Sequence, residues 1–147
     1  MLKITVIAVG KLKERFWRDA CAEYLKRLEG HCKISVREVP DSNPQQEAAL
    51  ILDALPEKAP VIVLDIAGKP TSSEALAQRI ERYTVEGASH LAFVIGGSDG
   101  LTDAVKAQAA IRMSFGPLTL PHNLARVVLL EQIYRAFKII KGEPYHK

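Results

Sequence analysis

Two short apolar runs, Val61–Ile66 and Leu91–Ile95, constrain the fold of this chain most. A strand that is apolar on successive residues has no face to offer water. It is expected inside a parallel sheet, covered on both sides. Further runs with strand character lie at Leu2–Val9, Lys33–Val39 and Ile111–Phe115. Between them the apolar period lengthens to that of a helix. Phe16, Trp17, Ala20, Tyr24 and Leu28 recur at three- and four-residue steps. Gln45–Leu55 is a second helix. A third starts at Thr71, Ser72 or Ser73 and runs to about Glu86. Thr102 caps a short helix through Ala110. The last runs from about Asn123 to Lys141 and stops at Gly142. Strands separated by helices predict an α/β fold: a mainly parallel sheet with helices on both faces, in one domain over residues 1–147.

Parallel strands release their following loops at one edge, where ligands of open α/β sheets bind. Three loops are expected there: 65–69, Gly96-Gly97-Ser98-Asp99-Gly100, and Gly116-Pro117-Leu118-Thr119-Leu120-Pro121. Glycine leaves backbone donors and acceptors uncovered. With Leu64, Ile95, Leu118 and Leu120 as walls, the loops suit a flat, largely neutral ring such as adenine.

Other chemistries lack their motifs. The turn after the first strand, Val9-Gly10-Lys11-Leu12-Lys13-Glu14, has one glycine where a dinucleotide fingerprint needs three. There is no Walker phosphate loop and no G-x-S-x-G elbow, and Ser98 has no visible base. His31, His90, His122 and His146 are too scattered for a local metal motif, so no metal is expected. Cys21 and Cys32 read as free, buried thiols of a reducing, cytoplasmic protein. No apolar run reaches membrane-spanning length, and the N-terminal run is too short for a signal peptide.

The net charge of +3 conceals an uneven distribution. Residues 11–37 carry eight Lys/Arg against four Asp/Glu, residues 126–147 five against two, and residues 38–125 six against eleven. Basic chain ends suit a polyanion, or merely a solvated surface.

Four stretches carry a resemblance: Leu64–Lys69, Ile95–Leu101, Leu118–His122, and Glu131–Lys138 continued by Pro144-Tyr145-His146-Lys147. In order and spacing the chain resembles the SPOUT-class RNA methyltransferases and, within them, the RlmH family of ribosomal large-subunit pseudouridine N3-methyltransferases. The resemblance implies a C-terminal trefoil knot, an exception to unknotted topology. It implies S-adenosylmethionine held by the three loops, with Leu64, Gly96, Gly97, Gly116, Pro117, Leu118, Thr119, Leu120 and Pro121 lining it. It also implies a homodimer packed through the last helix, and a pseudouridine in a 23S rRNA hairpin loop, methylated on assembled ribosomes. A non-catalytic ribosome- or RNA-binding factor and a tRNA methyltransferase are the competing readings.

Methyl transfer to a pseudouridine N3 requires loss of its proton, by a base or a cationic site favouring the deprotonated ring. His146 reads as base or proton shuttle, or else as terminal tail. Tyr145 reads as a base-stacking group or as an anchor for the tail. Arg135 would steady the anionic ring or a phosphate, or pair with Glu131 four residues earlier. His122, Arg126, Lys138 and Lys141 are the candidate RNA contacts. For His122 a bond to local backbone competes.

Overall fold

The computed structural model describes residues 1–145. The chain runs β1 (Lys3–Val9), α1 (Arg15–Leu28), β2 (Lys33–Val39), α2 (Pro44–Ala54), β3 (Val61–Pro70), α3 (Ser73–Val85), β4 (His90–Ile95), α4 (Asp103–Lys106), β5 (Ile111–Ser114) and α5 (His122–Ile140). The five strands form one sheet in the order β2-β1-β4-β3-β5, and every pairing is parallel.

The two-residue period of the strands divides the interior. Ile4, Val6, Ala8, Ile62, Leu91, Phe93 and Ile95 face one cluster, where α1, α3 and α5 supply Leu28, Leu76, Ile80, Leu129, Leu130 and Ile133. Ile7, Val9, Val61, Val63, Ala92 and Val94 face the other, closed by Ala48 and Ile51 of α2 and Val105 of α4. Helices thus cover both faces, as the continuous apolar runs require. Cys21 and Cys32 are buried and unpaired, and burial pushes the Cys32 thiol up to about 11.

Local signals set the helix starts. Asn43 accepts from the Gln46 N–H at 2.9 Å, and Pro44 follows at the first helical position, one residue ahead of the expected start. Among the three candidates for the third helix, Ser72 is the cap. Its Oγ accepts from the Ala75 N–H at 3.0 Å. Two expectations change. The fourth helix ends at Lys106 rather than Ala110, because residues 107–110 turn back to enter β5. The third strand continues to Pro70 instead of stopping at Ile66. Leu64 and Lys69 both pair with Met113, so the chain leaves the ladder after Leu64 and rejoins it at Lys69. Among the described residues no helix is long and apolar enough to cross a membrane.

Phe93 lies fully buried in mid-sheet. Phe93→Ala is expected to cost about 3–5 kcal/mol, read from equilibrium urea unfolding.

Candidate active site

The departure of 65–68 from the sheet builds the first wall of a cavity. Asp65 Oδ1 accepts from the Ala67 N–H at 3.1 Å and closes a tight local turn. Gly68 allows the chain back in, since a Cβ there would stand 2.8 Å from the Arg112 carbonyl carbon. The second wall follows β4. Gly97 and Gly100 form an isolated bridge, with Gly100 N–H donating to the Gly97 carbonyl at 3.1 Å and Gly100 at φ +77°. The turn places Ser98 and Asp99 at its exposed tip. The third wall follows β5. The buried Ser114 hydroxyl donates to the Gly116 carbonyl at 3.1 Å and accepts its N–H at 3.0 Å, fixing the entrance to 116–121.

These loops enclose a cavity of about 550 Å³ at the carboxyl edge of the sheet, within the size range of small-molecule sites. Leu64, Gly96, Gly97, Gly116, Leu118, Thr119 and Leu120 line it, as does His122 at the first turn of α5. Ile95, Leu101 and Met113 add apolar surface, so a neutral ring fits what the sequence left there. Pro117 and Pro121 are not in the lining: both are exposed and flank the residues that are. Ile66 and Leu118, on facing loops, are 85% and 79% exposed. Asp65, within the expected loop 65–69, and Lys106, outside the three expected loops, also line the cavity. A strand-end aspartate followed by a glycine turn was the available signal.

The candidate catalytic and RNA-binding residues fall elsewhere. Arg135 Nη2 donates to Glu131 Oε2 at 2.8 Å, and the Tyr145 hydroxyl donates to the same oxygen at 2.8 Å. The Arg135 guanidinium carbon stands 4.7 Å from the Tyr145 ring centroid, and Tyr134 meets Tyr145 edge-on at 4.9 Å. Tyr145 is therefore docked on α5. Burial, and then its bond to Glu131, push its hydroxyl up to about 12, so it stays a proton donor. None of Arg135, Tyr145, Lys138 and Lys141 lines the cavity. Ala125 is the last residue of α5 in the lining, and Arg135 lies ten residues beyond it, about 15 Å along the helix axis. His146 falls outside the described residues.

Among the candidate RNA contacts, Arg126 points into the interior. Its side chain is 3% exposed, donates to Glu38 Oε2 at 2.6 Å and to the Gly10 carbonyl at 3.1 Å, and fastens α5 to the ends of β1 and β2. A phosphate could reach it only by breaking that bond. Lys138 pairs with Glu143, and Lys141 donates to His31 Nδ1 at 2.8 Å. No group of three His, Cys, Asp or Glu that could hold a metal occurs among the described residues.

Residues 2–146 match the family described as "Predicted SPOUT methyltransferase". The chain belongs to the SPOUT methyltransferase family. A relative named ribosomal RNA large subunit methyltransferase H, from Listeria monocytogenes serotype 4b (strain CLIP80459), is 46% identical over 159 residues. That match covers 99% of this chain and all of the relative. A solved structure of a probable methylase family protein from Haemophilus influenzae Rd KW20 superposes with a TM-score of 0.58 at 15% identity. It covers 99% of this chain and 70% of that one, a likeness of fold.

The Glu131 knot of contacts has a pH signature. Burial pushes this carboxyl up, but hydrogen bonds from Arg135, Tyr145 and Gln132 outweigh it and hold it below 4.5. A depressed carboxylate stabilises the fold above its unfolded value, and the gain is lost as pH falls through the lowered one. The difference in urea midpoint between wild type and Glu131→Gln should be widest at neutral pH and close on acidification below 4.5.

Proposed function

We propose that this protein transfers a methyl group from S-adenosylmethionine to a base of large-subunit ribosomal RNA. We take that base to be the pseudouridine of a 23S rRNA hairpin loop, modified at N3 on assembled ribosomes in the cytoplasm. The observation that carries the reading is the cavity itself. Its backbone-rich walls coincide with seven of the nine residues expected to line the donor. The full-length likeness to a large-subunit rRNA methyltransferase supports the substrate.

Leu64, Ile95, Met113 and Leu120 would hold the adenine by apolar contact, and the bare backbone of 96–97 and 116–120 would read its edge. Bound there, the sulfonium supplies an electrophilic methyl group. The chain's own task is to place the base in line and favour loss of its N3 proton. Arg135 offers a fixed positive charge to the resulting anion. Tyr145 offers a hydroxyl donor and a ring face, and His146 is the proposed proton acceptor.

The distance along α5 bears on how these parts meet. Arg135 and Tyr145 are both bonded to Glu131, beyond the part of α5 that lines the cavity of their own chain. We therefore propose a homodimer in which the tail of one protomer completes the site of the other. The proposal includes the family's knot, which accords with α5 leaving the edge strand β5 and returning to pack against α1 and α3.

Labelled methyl transfer to ribosomes lacking the modification, to free 23S rRNA and to tRNA tests the substrate. A single methylated pseudouridine in the large-subunit hairpin is expected, and transfer to tRNA alone would overturn the assignment. The donor site has its own test. A Cβ at Gly96 would stand 2.9 Å from Leu101 Cγ and 3.1 Å from the Gly100 backbone. Gly96→Val should displace the second loop and weaken S-adenosylhomocysteine binding by about tenfold or more. Calorimetry reads this, and unchanged affinity would remove 96–101 from the site.

A further inference from the structure

The first wall of the cavity holds a charged pair that the adenosine reading leaves unexplained. The Asp65 side chain is 6% exposed. Its Oδ1 is used by the Ala67 N–H. Its Oδ2 is closed to solvent and has no hydrogen-bond donor among the described residues. The cations facing it are Lys106 Nζ at 3.5 Å and Arg112 Nη1 at 3.9 Å. Both separations exceed the 2.7–3.2 Å of an N–H···O bond. A buried carboxylate oxygen held by charge alone, without a donor, is costly to keep.

Asp65 and Lys106 both line the cavity. Arg112, 56% exposed in its side chain, does not. Apart from Asp99 at an exposed tip and His122 at the start of α5, the pair supplies the ionisable groups of the lining. A neutral nucleoside makes no use of a negative and a positive group set side by side. A zwitterion does. In an amino acid the ammonium nitrogen and the carboxyl carbon are about 2.5 Å apart, a separation compatible with engaging both partners of a pair spaced 3.5 Å.

We propose that Asp65 and Lys106 form the subsite for the amino-acid tail of the methyl donor, Asp65 receiving the α-ammonium and Lys106 the α-carboxylate. The proposal rests on the reading of the cavity as the donor site. Movement of the Lys106 head away from Asp65 would uncover Oδ2, and the ammonium brings it the donor it lacks. Lys106, long and flexible, turns its head from Asp65 to the carboxylate, so neither charge is left unpaired. The cavity then selects adenosyl ligands that carry an amino acid over those that do not. A purely structural pair, tying the 65–68 excursion to α4, would show no such selection.

Calorimetry with two unreactive ligands separates the cases. S-adenosylhomocysteine has the tail. 5′-Methylthioadenosine has the same nucleoside and thioether without it. Wild type should bind the first more tightly. Asp65→Asn and Lys106→Met should each weaken it by about ten- to a hundredfold, while 5′-methylthioadenosine stays within about twofold. Lys106→Arg should retain most of the affinity. Binding of 5′-methylthioadenosine also reports that a variant is folded. If Asp65→Asn fails that check, Lys106→Met decides. Equal weakening of both ligands, or unchanged S-adenosylhomocysteine affinity in folded Lys106→Met, would overturn the subsite and leave the donor cavity standing. If wild type binds neither ligand, the donor reading falls, and this proposal with it.

Discussion

β4 is hydrogen-bonded along both edges, to β1 and β3, and Leu91 through Val94 are fully buried. Nothing about this strand can be exchanged with water. It cannot slip by one residue without sending Phe93 to the side built for Ala92 and Val94. Its register therefore fixes where the chain ends its strand and turns at Gly96. The neighbouring ladders align the ends of β3 and β5 with it, and the cavity is the consequence. A rigid, doubly covered sheet holds three loops that contribute mainly backbone.

The cavity wall also needs one irregularity. β3 and β5 pair through Met113 twice, with four residues displaced between the two registers. That displacement carries Asp65 and Ile66 out of the ladder and into the lining. It depends on Gly68, where the returning backbone passes too close to Arg112 to admit a side chain. The same local event opens the cavity and buries a carboxylate in its wall.

Charge in this protein is consumed locally. The basic C-terminal segment suggests a surface for a polyanion, yet Arg126 is spent on Glu38, Arg135 on Glu131 and Lys138 on Glu143. Each bond lowers what the cation can offer a phosphate. Arg135 is the informative case, because its carboxylate partner also receives the Tyr145 hydroxyl. One glutamate thereby orders an arginine, a tyrosine and the approach to the chain end.

The strands, the two-sided cover and the glycine loops were legible in the sequence because they are local properties. Apolar period, capping residues and the backbone freedom of glycine act within a few positions of one another. The exit of the third strand was misjudged because its continuation to Pro70 is set by pairing with β5, more than 40 residues away. The burial of Arg126 has the same origin, since its partner Glu38 lies 88 positions from it. The charges facing Asp65 were not legible, because Lys106 and Arg112 belong to two later elements. The sequence by itself determined which segments become strands, helices and bare loops. Tertiary structure decided which side chains face the cavity and which charges remain to act, because burial and ion pairing depend on neighbours that only the folded chain brings together.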